Sequence, residues 1–223
     1  MQPNTVTRVQ SGIIIQTNSV IRNTYLLLSM TLLFSAFTAW LGMVTNAPVL
    51  GLLALPIYFG LLFLTQMLRN SVWGIVSIFA FTGFMGYTLG PILNFAIHGF
   101  SNGAQLVMTS LGLTGLIFFA LSGYALTTRK DFSYLNGFLF VAATVGMIAS
   151  IAGLFFHIPL LYLGVSALFV LISSGMILFE TSQIINGGER NYIMATISLY
   201  VSIYNLFVSL LQLLMMLSGR RDN

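Results

Sequence analysis

Residues 198–212 read SLYVSIYNLFVSLLQ, and the fold turns on how this stretch is read. Ser198, Ser202, Asn205, Ser209 and Gln212 recur at spacings of 4, 3, 4 and 3, which puts all five on one face of an α-helix. Leu199, Val201, Ile203, Leu206, Phe207, Val208 and Leu210 supply an apolar surface around the rest of the circumference. At 1.5 Å per residue the polar stripe runs about 21 Å, two-thirds of a ~30 Å hydrocarbon core. Amides and hydroxyls are costly against lipid, so the stripe should point at other helices, either as packing glue or as the wall of a wet pathway.

Composition explains why lipid is the relevant solvent. Of 223 residues, 57% are hydrophobic and 5% charged, where a soluble domain carries roughly 25% charged residues. Eight basic and four acidic residues cannot clothe a 24.4 kDa globule in water, and the mean hydropathy of +0.96 agrees. The chain is read as an integral membrane protein with one membrane domain, residues 22–219, between a polar tail, 1–21, and a short C-terminal tail, 220–223. In the first segment the apolar island Ile13 to Ile15 is too short for a signal-peptide core. The pI near 9.6 does not indicate nucleic acid, because the basic residues stand singly or in pairs, as membrane anchors do. With no cysteine there are no disulfides, thiolate nucleophiles or thiolate metal sites.

The uncharged stretches set the number of spans. Charges gather at Arg22, Arg69, Arg129 to Asp131, Glu180 to Arg190 and Arg220 to Asp222. A span needs about 20 residues, so 23–68, 70–128 and 132–179 each hold two, and 191–219 holds one. Turn signals at Thr45-Asn46-Ala47-Pro48, at His98 to Gly103 and at His157-Ile158-Pro159 divide the long stretches. The expected helices are 23–45, 48–68, 71–97, 104–127, 133–156, 159–180 and 191–217. Every charge cluster up to Arg190 then shares one face, and the opposite loops carry no Lys or Arg. Positive residues favour the cytoplasm, so the N-terminus is expected there. Arg220 and Arg221 fall on the other side, and a re-entrant last segment is the alternative that would bring them back.

Within the spans, Glu180 closes the sixth helix as expected here, on the charged face, where it is either a snorkelling carboxylate or an interior one paired with a cation. Arg69 is a partner on the same face, or simply a topology anchor. Gly83, Gly86 and Gly90, and likewise Gly146, Ser150 and Gly153, are close-packing signals. Pro91, after Gly90, should kink the third helix and free carbonyls of the preceding turn. His98 and His157 stand in outer turns without carboxylate company, so no metal or other cofactor is expected. No nucleophile–base pair or phosphate loop is present, which argues against an enzyme.

Four stretches carry a resemblance: IRNTYLLLSMTLLFSA at 21–36, FAFTGFMGYTLGPILN at 79–94, YALTTRKDFSYLNG at 124–137 and ISSGMILFETSQIINGGERNYIMATISLYVSIYNLFVSLLQLL at 172–214. Through them the chain resembles the transmembrane Bax-inhibitor motif family, and most closely its gram-negative inner-membrane branch. The resemblance implies an all-α fold of seven transmembrane helices with the seventh central, surrounded by the other six. It implies a bacterial inner-membrane protein that associates with the FtsH protease and its prohibitin-like companion proteins. It also raises an alternative, a pH-sensitive calcium or cation leak channel. In the leak-type members two facing acidic side chains form a gate latched by an arginine. The first matches Glu180, the second falls on Ser202, and Arg69 is the match for the latch. A lone carboxylate beside a hydroxyl lacks the coupled titration of an acidic pair and is a poor Ca2+ ligand set. The modulator reading is therefore the primary expectation.

Overall fold

The computed structural model describes the backbone of residues 4–156 and 159–219, with side chains from Asn18 onward except at residues 154, 156 and 159. His157 and the expected C-terminal tail lie outside the described residues, as does the start of the N-terminal one. The described chain is all helical: α1 (Asn4–Val44), a 3-10 turn (Gly51–Leu53) leading into α2 (Ala54–Leu68), α3 (Trp73–Gly99), α4 (Gly103–Thr128), α5 (Leu135–Phe156), α6 (Pro159–Ile185) and α7 (Tyr192–Gly219). Each contains a stretch long and apolar enough to cross a membrane, which in α1 begins at Asn18 and in α2 includes the 3-10 turn.

Local chemistry sets the ends. Asn46, at φ +50°, reverses the chain after α1, with Thr45 N–H on Leu41 C=O at 2.9 Å and Ala47 N–H on Gly42 C=O at 2.9 Å. The second helix starts at Ala54 rather than at the expected residue 48 because Pro56 lacks an N–H and fits only a first turn. Asn191 caps α7, its Oδ1 accepting the N–H groups of Ile193 at 3.0 Å and Met194 at 3.1 Å. A second boundary differs more consequentially. Glu180 does not close α6: the helix runs on through Thr181-Ser182-Gln183 to Ile185, and Gly187 at φ +75° then turns the chain. The polar residues after Glu180 stay helical because neighbouring elements satisfy their side chains.

The seventh helix is central, and its immediate ring consists of α1, α3, α4 and α6; α2 packs on α3 and α5 on α6 further out. Tyr200, Leu199 and Leu206 of α7 are buried with Phe81 and Ile78 of α3 and Ile177 and Ile184 of α6. Lipid tails are as apolar as these side chains, so close approach and dispersion hold the bundle rather than expulsion of water. Approach is closest between α1 and α3. A methyl group at Gly86 would collide with the Ser35 carbonyl oxygen, and one at Gly90 with the backbone of Gly42. Outward, Leu33, Phe63, Val76, Phe119 and Phe140 present apolar surface.

Contacts at the two ends fix the relative topology. Asn191, at the start of α7, donates to the Arg69 carbonyl at 2.9 Å and to Asn70 Oδ1 at 2.9 Å. The α6 residue Ser182 donates to the Lys130 carbonyl at 3.0 Å. The α2–α3, α4–α5 and α6–α7 loops thus share one end. At the other, Ser218 Oγ donates to Asn102 Oδ1 at 3.0 Å. Over its described length α7 crosses the bundle as one unbroken helix, not as a re-entrant segment.

Candidate functional site

More than a turn inside α6, Glu180 is buried, 8% exposed, against α7. Ser202 Oγ, itself 4% exposed, donates to Glu180 Oε2 at 2.9 Å. These two candidate gate residues are therefore in direct contact. Arg69 is not: it is exposed at the C-cap of α2, and the carboxylate's hydrogen-bond partner is Ser202. Residue by residue, the segment after Glu180 fastens α6 to its surroundings. Thr181 Oγ1 meets Ser122 Oγ of α4 at 3.2 Å, both buried. Ser182 Oγ accepts the Phe132 N–H at 3.0 Å while donating to Lys130. Gln183 Nε2 donates to Ser133 Oγ at 2.9 Å. Four successive polar residues on a helix point all round it, so the segment ties α7, α4 and the α4–α5 loop together.

That loop contains a second carboxylate, in water. Asp131 accepts hydrogen bonds from the hydroxyl and, at 2.9 Å, the backbone N–H of Ser133. The hydroxyl chiefly, and the N–H after it, hold its carboxyl below the ordinary aspartate value.

The polar stripe of α7 divides, which corrects the expectation that all of it is hidden. Ser202 and Ser209 are buried, Ser198 and Gln212 half-buried, and Asn205 exposed. Gln212 Oε1 accepts from Ser166 of α6 at 3.5 Å, a long contact. The reason is angular: Asn205 lies roughly 60° round the helix from Ser202, on a lane shared with Met194, Val201 and Val208, none of them fully buried. The ring formed by α1, α3, α4 and α6 leaves that lane uncovered.

The opposite side of α7 is less apolar than its sequence suggests. Ser35 Oγ of α1 donates to Tyr200 Oη at 2.6 Å, and Tyr200 donates to the Thr82 carbonyl of α3 at 3.2 Å. Thr196 Oγ1 lies 3.3 Å from the Thr24 carbonyl of α1, though its shorter bond is to Tyr192 C=O within α7, at 2.7 Å. Tyr200 and Thr196 lie off the 4-3-4-3 stripe and so were not singled out in the sequence; a hydroxyl among Ile and Leu in a central span is the available signal. Around Gly90 and Pro91, α3 stays helical. Pro91 offers no N–H to the Tyr87 carbonyl, and Gly42 of α1 closes over that oxygen. Asn94 Nδ2 donates to Met43 C=O at 3.0 Å nearby. His98 donates through Nδ1 to the Asn94 carbonyl at 3.0 Å, and no group of three potential metal ligands occurs among the described residues.

Comparison with known proteins places this architecture. A protein of Escherichia coli K12 named modulator of FtsH protease YccA is 53% identical over 202 residues, covering 90% of this chain and 91% of that protein. An uncharacterized protein of Pseudomonas aeruginosa is 54% identical over 199 residues, 89% of each chain. A membrane protein of Vibrio cholerae is 42% identical over 202 residues, 90% of each. The family model described as inhibitor of apoptosis-promoting Bax1 matches residues 17–219, so nearly the whole helical bundle is covered and the chain belongs to the Bax-inhibitor family.

Proposed function

We propose that this protein is a non-enzymatic regulator in the bacterial inner membrane that associates with the FtsH protease complex and slows its action on other membrane proteins. The observation that carries the reading is the 53% identity to a modulator of that protease across nine-tenths of both chains. The fold supplies a mechanism. In α1 a polar stretch precedes the span that begins at Asn18; on the cytoplasmic side it would offer an ATP-driven protease a segment to grip. The tied bundle behind it, with α6 fastened to α4, α7 and the α4–α5 loop, would resist extraction and so occupy the protease. Prohibitin-like proteins are the proposed companions in that complex. Deleting residues 2–18 should lengthen the protein's lifetime in cells with active protease, and a pull-down from native membranes should recover the protease with the full chain. Unchanged turnover together with a clean pull-down overturns the proposal.

A cation leak is the second reading, favoured by one observation: an acidic side chain, Glu180, buried against the central helix α7 near the charged-loop end of the bundle. Weighing against it are the hydroxyl of Ser202 where a second carboxylate would couple and the exposed position of Arg69. Calcium flux into reconstituted vesicles between pH 6 and 8 separates the two readings. Flux equal to that of empty liposomes, or flux unaltered by Glu180→Gln, ends the leak reading.

A further inference from the structure

At the end of the bundle that carries the charged loops, a cavity of about 760 Å³ opens between the part of α1 where its span begins, the end of α4, the end of α6 and the α6–α7 loop. Nothing in the modulator or leak readings uses it. Two arginines line it, Arg129 and Arg190, both exposed. Arg129 sits in the left-handed region at φ +52°, uncommon for a residue with a side chain, as the C-cap of α4. Arg190 is steadied through Nε, which donates to the Gly187 carbonyl at 3.2 Å, and its terminal nitrogens keep further donors. The lining holds one carboxylate, Glu189, whose Oε1 already accepts the Asn191 N–H at 2.7 Å. Asn18, Asn23 and Asn186 add amides, so donors outnumber free acceptors.

The rest of the lining is mainly aliphatic, with Val20, Leu126 and Ile185, beside the hydroxyls of Ser19 and Tyr192. A lining that combines two arginines with aliphatic side chains matches an amphiphile with a phosphate at its polar end. Arginine forks bind phosphate oxygens in pairs, and the volume is that of a small-molecule site. We infer that this cavity is a binding site for an anionic phospholipid, its phosphate held between Arg129 and Arg190 and its glycerol end against the aliphatic wall. The recognised chemistry is a phosphate whose charge no headgroup cation offsets, and the aliphatic wall assigns it to a lipid rather than to free phosphate. Because the walls come from α1, α4, α6 and the α6–α7 loop, an occupant joins the first span to the rest of the bundle.

Thermal unfolding of the full chain in a neutral detergent tests the assignment, titrated separately with short-chain phosphatidylglycerol, short-chain phosphatidylcholine and inorganic phosphate. Phosphatidylglycerol should raise the melting temperature saturably and the other two should not. Arg129→Gln and Arg190→Gln should each weaken the half-saturating concentration about fivefold, as one guanidinium at a lipid surface does, while Arg22→Gln, an exposed arginine outside the cavity, should leave it unchanged. Equal weakening by Arg22→Gln reduces the effect to general surface charge and overturns the site. Equal stabilisation by inorganic phosphate overturns the lipid assignment, and equal stabilisation by phosphatidylcholine overturns the role of the arginines. Native mass spectrometry of the two cavity variants gives a second readout: retained phosphatidylglycerol equal to the unaltered chain also overturns the proposal.

Discussion

A carboxylate buried between two membrane helices has few ways to be satisfied, and Glu180 uses Ser202. Ser202→Ala leaves the carboxylate in the same buried place without that donor. It should cost about 1–2 kcal/mol, within the range for a lost hydrogen bond to an acidic group and near the top of measured membrane values, read as a lower midpoint of unfolding in mixed detergent. Asp131 gives the complementary case in water. Its carboxyl is held low by Ser133, so its contribution is complete above the ordinary aspartate pKa and fades as the pH falls through the lowered one. In Ser133→Ala the Asp131 titration, followed by the carboxyl 13C shift, should move up toward the ordinary value. A midpoint unchanged by the substitution would show that the hydroxyl does not set it.

Among the elements, α1 and α3 pack most closely, and small residues allow it. Gly86→Ala puts a methyl against the Ser35 carbonyl, backbone that cannot step aside. Overpacking of this kind costs typically 1–3 kcal/mol. Gly112→Ala on α4 meets nothing within 4 Å and gains the better helix former, so its stability should be equal or higher. Thermal unfolding of the pair checks both; comparable losses would mean that the α1–α3 approach is not selective. Gly83, Gly86 and Gly90 were legible in the sequence as a close-packing row, but Gly42, which meets Gly90, was not. A single glycine in a span carries no period, and only the crossing shows what it faces.

For the whole molecule, the absence of cysteine makes single-site labelling clean. Asn70→Cys and Lys130→Cys should react with an impermeant thiol reagent from one side of the membrane and Ser101→Cys from the other, since Asn191 and Ser182 bring the first two loops to one end and Ser218 meets Asn102 at the other. Opposite labelling of Asn70→Cys and Lys130→Cys would break the seven-span arrangement. Much of that arrangement could be read from where charges are missing, because an ionised group cannot cheaply enter hydrocarbon and the gaps between charges measure spans. The reach of α6 past Glu180 could not. TSQ looked like loop because its partners, Ser122, Lys130, Phe132 and Ser133, are about fifty residues away along the chain.

Composition and the spacing of charges were enough to read the solvent, the number of helices and the face that gathers charge, all consequences of the transfer energy of side chains between water and lipid. Which polar groups are hidden depends on how the helices pack. Ser202 and Asn205 belong to one 4-3-4-3 stripe, yet, roughly 60° apart round the helix, one meets Glu180 and the other lies open. The period states which residues share a face, and the width of the neighbouring helix states how much of that face it covers.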